Sequence, residues 1–252
     1  MTLAELIAVS FVLVVMAGAM GALALGVQES NDYNYQQGTA LQHGQVTLQR
    51  IQRTLNNATA NEVFPAFLVF ADTVGTELYP DTLVVWHPSG AAANANGLPR
   101  ICELIVYCPN PNSPNELWEI TAPNTLRTAP DPSNVSLWRT ELGFLKTDSS
   151  VRRVVLTDLL RTGQSSNGLR GVIRFESRLR PSQAEWSQYI AGTRLWTNMS
   201  WVQGIYGTST GLRQAWCRCE FQLRPGDTTN NSREAAIPFF GSGAVMYELQ
   251  KP

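Results

Sequence analysis

Few residues of this chain are of the types that do chemistry, and their spacing narrows the field further. There are two histidines, His43 and His87, and neither stands in an HExxH or other metal-ligating pattern, so each reads as a satisfied surface or core side chain. No serine sits in a G-x-S-x-G elbow, and Gly241-Ser242-Gly243 is too short for a nucleotide loop. Cys217-Arg218-Cys219 is C-x-C, and five residues separate Cys102 from Cys108; neither is a zinc spacing. Asp227, Asn230 and Asn231 are calcium candidates, but their spacing is not that of a calcium loop and an ordinary Asx-rich turn accounts for them. N-x-S/T sequons occur at Asn57, Asn134, Asn198 and Asn230, as several do by chance in a chain rich in Asn, Ser and Thr. The pattern predicts no enzyme, no bound metal and no cofactor. One ionisable residue stands out by its surroundings instead: Glu5.

Glu5 lies at the edge of an apolar run. From Leu6 to Val27 there is no charged residue and no proline. Twenty-two residues at 1.5 Å rise make about 33 Å of helix, enough to cross a hydrocarbon core of about 30 Å. A backbone can satisfy itself in lipid only as a helix here, so residues 1–27 are expected to be a transmembrane helix. A carboxylate at its end costs on the order of 2.5 kcal/mol if unpaired and deep, which makes it a functional candidate that needs a partner.

A hydrophobic first residue, Met1, then Thr2, Leu3 and Glu5, followed by an unbroken apolar run, resembles the mature N-terminus of the type IV pilin and type II secretion pseudopilin family. The resemblance is specific over about the first 55 residues and architectural beyond. Two departures are Met1 where phenylalanine is familiar, and Ala22 where many members carry a proline. The resemblance implies that prepilin peptidase cuts a basic leader before Met1 and methylates the new N-terminus. No Lys or Arg precedes the span and the first to follow is Arg50, so the charges that orient a first span are expected on that leader. A cleaved secretory signal fits less well, because the run exceeds the usual 7–15 residues. The resemblance also implies that Met1, Leu3 and Glu5 are the assembly residues, with the α-amino group of one subunit approaching Glu5 of another.

Composition agrees with export. Charged residues are only 15% of the chain and the net charge is −1, without the basic stripe of a nucleic-acid protein. An even cysteine count outside the cytoplasm points to two disulfides among Cys102, Cys108, Cys217 and Cys219, with four buried thiols as the alternative. Connectivity stays open: Cys102 and Cys108 would be about 20 Å apart on a straight strand, and Cys217 and Cys219 about 7 Å apart.

After Val27, Leu41, Leu48, Ile51, Leu55 and Ala58 recur at helical spacings, which predicts one helix over residues 1–57, with 28–57 amphipathic. Gly18, Gly21 and Gly26 in the apolar half read as close helix–helix packing, or as a point near Gly18-Gly21 that unwinds on assembly. From residue 58 to 252 the pattern changes to strands. Candidates are Leu83–His87, Ile101–Tyr107, Leu117–Ile120, Arg153–Leu156, Val172–Arg180 and Arg194–Val202. VIRFESRLR and QAWCRCEFQLR alternate with period two, and Ala235–Leu249 is expected as a last strand broken at Gly241-Ser242-Gly243. Cys108–Pro132, with six prolines, is expected to be an exposed loop. The fold class predicted is α+β, a pilin fold in which one long helix packs on antiparallel sheets.

The function expected is a structural filament subunit, homo-oligomeric and joined by other pilins. It would be held in the inner membrane before assembly and reach the cell surface afterwards. The alternatives are a minor or tip pilin, a pseudopilin of a secretion system, or a membrane-anchored binding protein.

Overall fold

The structure, a computed structural model, describes residues 2–74, 77–165, 168–200, 210–225 and 236–250. Helix α1, Leu3–Asn56, runs 54 residues without a break, about 80 Å at 1.5 Å per residue. Nothing interrupts it because the apolar half is free of proline and the polar half has only isolated glycines. Gly18, Gly21, Gly26 and Gly38 all lie within this continuous helix.

Five antiparallel strands form the first sheet in sequential order: β1 (Phe67–Val74), β2 (Glu77–Trp86), β3 (Leu104–Pro109), β4 (Leu117–Thr121) and β5 (Arg152–Thr157). A short hairpin, β6 (Thr162–Ser165) and β7 (Gly168–Gly171), leads into a second antiparallel sheet. That sheet has the order β10-β9-β8, from β8 (Ile173–Arg180), β9 (Thr210–Leu223) and β10 (Ile237–Gln250). β8 packs against β2 and β1 without joining their ladder, so the two sheets meet face to face over one core.

β2 shows why its last four residues, Leu83–Trp86, are all apolar. Leu83 and Val85 enter the core shared with α1 and the second sheet, while Val84 and Trp86 enter a second core on the opposite face. Burial on both faces removes the alternation that a half-exposed strand displays. The second core is closed by helix α2 (Val135–Thr147), whose Trp138, Leu142 and Leu145 lie against Phe64, Trp86 and Val106. Helix α3 (Gln183–Ile190) builds a small third cluster of Trp186, Met199 and Leu249.

Several expectations need correcting. The chain after α1 is not strands only, since α2 and α3 are both helical. Ile101–Glu103 is a 3-10 turn ahead of β3, and Trp196–Asn198, expected within a strand, is another; Trp201 and Val202 lie outside the described residues. β10 continues through Gly241-Ser242-Gly243 unbroken. The described residues add the edge strand β1, which the sequence pattern did not single out.

The buried stripe of α1 is Ala40, Gly44, Thr47, Ile51, Thr54 and Leu55, whereas Leu41 is 43% exposed. Small residues lead this stripe because β10 comes very close. A Cβ on Gly44 would stand 2.0 Å from Cζ of Phe239, a ring stacked at 5.2 Å on Phe221 and unable to retreat. Gly241 and Gly243 make the matching approach from the sheet side, beneath Leu48 and Leu55. Gly44→Ala is therefore expected to destabilise the domain by about 1–3 kcal/mol despite its better helix propensity. Gly38→Ala, where a Cβ meets nothing within 4 Å, is expected to stabilise by up to about 1 kcal/mol. Denaturant midpoints of the two variants, measured side by side, check the opposite signs.

Candidate functional site: the apolar helix and its anchor

The first turn of α1 is closed by a capping box. The Thr2 backbone N–H donates to Glu5 Oε2 at 2.8 Å, and the Glu5 N–H donates to Thr2 Oγ1 at 3.4 Å. The carboxylate thus satisfies an otherwise orphaned donor and lies at the positive end of the helix dipole. Met1 lies outside the described residues. Leu3, at the head of the helix, is 78% exposed.

Between Leu3 and Tyr35 no residue is buried. The apolar side chains from Leu6 to Val27 are exposed on all sides of the helix among the described residues. It is long and apolar enough to cross a membrane. Ser10, the one hydroxyl in the run, is satisfied locally by donating to the Leu6 carbonyl at 2.8 Å. An apolar sleeve of this length far exceeds the patches of a few hundred Å² that soluble monomers tolerate, so lipid or other protein must cover it.

The other half of α1 is tied to the sheets by polar contacts as well as by packing. Arg50 donates through Nε and Nη2 to the two carboxylate oxygens of Glu119 on β4, both at 2.8 Å. The Tyr107 hydroxyl lies 2.8 Å from Thr54 Oγ1 and 3.1 Å from Glu119 Oε2. Thr47 Oγ1 donates to the Leu156 carbonyl on the edge strand β5 at 3.2 Å. Burial pushes the Glu119 carboxyl upward, but the Arg50 hydrogen bonds and charge, joined by Tyr107, outweigh it and hold the carboxyl below its ordinary value. The same Glu119 contacts raise the Arg50 guanidinium, and burial first, then Glu119, raises the Tyr107 phenol. Sequence reading missed this group. Its only signal was a charged residue, Glu119, inside an apolar strand.

No protein-family model, no curated protein and no solved structure matches this chain.

The structure distributes the other residues singled out in the sequence without bringing them together. His43 Nδ1 lies 3.8 Å from Asp158 Oδ1, and His87 follows β2 with its backbone N–H on the Glu103 carbonyl. Among the described residues no cluster of His, Cys, Asp or Glu could hold a metal, and Asp227 and Asn230 lie outside them. Asn57 is the C-cap of α1, and Asn134 is the N-cap of α2, its side chain accepting from the Leu137 N–H. Asn198 lies in a 3-10 turn, with its carbonyl gripped by Arg194.

The four cysteines are free thiols in the structure, Cys102 half-buried and Cys108, Cys217 and Cys219 buried. Cys108 faces the core under α2, while Cys217 and Cys219 face the core under α1, with the first sheet between. Cys217 and Cys219 are two residues apart on an extended strand, about 7 Å, at the limit for a bridge. Cys102 and Cys108 are held apart by β3. Burial pushes the Cys108 and Cys217 thiols up to about 12 and raises Cys219 too, which keeps them unreactive. Half-buried Cys102 is therefore expected to be the thiol that a maleimide labels in the folded chain, with all four labelled in denaturant. Labelling of Cys217 or Cys219 at the rate of Cys102 in the folded chain would contradict this placement.

Proposed function

We propose that this protein is a structural subunit of a type IV pilus-like extracellular filament, assembling through the first half of α1. The observation that carries the reading is a single helix with two unlike halves. Residues 3–35 project bare, apolar from Leu6 to Val27, while Ala40–Leu55 is bound to a β domain by packing and by the Arg50–Glu119 pair. Such a chain waits in the membrane as a monomer and exchanges lipid for neighbouring helices on assembly, with the β domain facing outward. The N-terminal resemblance supports the same account: Met1 as a processed and methylated end, prepilin peptidase and the inner membrane as its first partners, and other copies or other pilins afterwards. A membrane-anchored surface protein needs the same span, and in it Glu5 has only the capping box with Thr2 to serve.

The test is to express the chain, with its upstream coding sequence, in a host that carries a pilus assembly system. Surface filaments are then sheared and probed for the chain. Recovery in the sheared fraction, with an N-terminus at methylated Met1, supports the proposal. Retention wholly in the membrane fraction overturns it in favour of the anchored protein. Recovery in trace amounts beside an abundant second pilin assigns it the minor or tip position.

A further inference from the structure

The second sheet turns one face to α1 and the core, and the other outward. Register fixes what the outer face carries. Arg178 stands opposite Trp216, which has Ala244 as its partner on the other side, and Arg180 stands opposite Gln214, which has Met246 there. Between them is a depression of about 220 Å³, lined among the described residues by Arg178, Arg180, Gln214 and Trp216. We propose that this depression binds the acidic ring of a saccharide, a pyranose bearing a carboxylate, with Trp216 beneath the ring and Arg180 on the carboxylate.

The walls differ in a way that suits such a ligand. Trp216 is half-buried, and its cross-strand neighbour Ala244 is too small to cover it, so the indole offers a flat surface to the apolar C–H face of a sugar. Arg178 is fixed in place: its Nε and Nη2 both donate to Glu176 Oε1, at 2.9 and 2.6 Å. The Arg180 side chain makes no hydrogen bond or ion pair to any described residue, which leaves its planar fork available for a bidentate carboxylate contact. Gln214 adds an amide donor and acceptor for ring hydroxyls. The volume is below the 300–1,000 Å³ of drug-sized sites and suits one ring with its substituents.

Charge along the face decides against a longer polyanion. Arg174 stands opposite Glu220 in the ladder, and Arg218 reaches both Glu176 and Glu220, at 3.3 and 3.6 Å. These carboxylates interrupt the positive track that a nucleic-acid strand requires, and Arg180 lies at one end, beside the aromatic. The site depends on the ladder and not on α1, so it stands whether or not the chain forms filaments.

The full chain in detergent, titrated calorimetrically at constant ionic strength with glucuronate, glucose and acetate, tests this. Saturable binding of glucuronate at least about tenfold tighter than either of the others is expected, because only glucuronate has both ring and charge. Trp216→Ala and Arg180→Gln should each weaken it by about tenfold or more, Arg180→Lys less, and Arg174→Gln should leave it unchanged. Absence of saturation, equal affinity for acetate or glucose, or an equal loss in Arg174→Gln overturns the proposal. Tighter binding of an oligothymidylate than of glucuronate overturns it in favour of nucleic acid. The comparison among ligands uses the unaltered chain and holds even if a variant fails to fold.

Discussion

Glu5→Ala and Glu5→Gln are both expected to leave a folded, membrane-held chain and to reduce its recovery in filaments to a small fraction of wild type at matched expression. Glu29→Ala, just past the apolar run, is expected to change recovery little. The two substitutions at position 5 separate two roles of one carboxylate. In the free subunit Glu5 closes the capping box with Thr2. Glutamine serves the box as well as glutamate does, so Glu5→Gln keeps the start of the helix but removes the charge. In the bundle proposed here the charge is what the α-amino group of a neighbour would require. Both groups would have lost water there, and deleting one would strand the other at a cost of about 3–5 kcal/mol, on the order of a hundredfold to several thousandfold in association. Sheared filament yield gives the readout. Wild-type recovery of both variants removes the main support for the filament reading. Recovery with glutamine but not alanine would show that the cap matters and the charge does not.

Arg50→Ala is expected to be the most damaging single change on the exposed side of α1, lowering domain stability by about 3 kcal/mol. This is the low end for breaking a buried pair, because the Arg50 side chain is 53% exposed while that of Glu119 is only 5% exposed. For a domain of this size that is roughly 6–12 °C in unfolding midpoint. Without Arg50, the buried carboxylate keeps the Tyr107 hydroxyl as its hydrogen-bond partner among the described residues, with the charge of Arg152 nearby. The pH dependence has a definite sign. Glu119 is held below its ordinary value in the folded chain, so its contribution is fully present above the unfolded carboxyl value of about 4.3. That contribution is lost as pH falls below this through the depressed folded value. The stability gap between wild type and Arg50→Ala should therefore be constant from pH 7 to about 6 and close as the medium is acidified, since protonation relieves the stranded Glu119. Urea unfolding of the two chains at pH 7 and at about pH 4 measures it. A gap that widens in acid would mean that Glu119 is not the partner Arg50 serves. Matched Glu119→Gln data add a control, because that change leaves the half-exposed guanidinium free to reach water and is expected to cost less.

The elements legible in the sequence are those written in a local period. An uninterrupted apolar run needs no partner to declare a helix, and the single helix expected over residues 1–57 matches α1 at Leu3–Asn56. Alternation in β8 and β9 declared half-buried strands, because a pleated strand points successive side chains to opposite sides whatever lies beyond. α2 was not legible: its residues follow a proline-rich segment, and only Trp138, Leu142 and Leu145 mark the face that closes the second core. The buried stripe of α1 follows the pattern at Ile51 and Leu55, and at Ala58 just past its end, with Leu48 packed against them. It departs from the pattern nearer the middle of the helix, where β10 lies so close that Ala40, Gly44 and Thr47 make the contact and Leu41 is turned out. The Arg50–Glu119 pair joins residues 69 apart, and the Trp216 depression joins two strands with a long connection between them. The sequence by itself therefore determined that this protein has a membrane-length helix, a carboxylate at its head and a β-rich domain, since each follows from neighbours along the chain. Only the tertiary structure decided which helix face is buried, that the cysteines stay apart, and which charges meet, because distances between segments follow from how closely whole elements pack, and no local pattern encodes that.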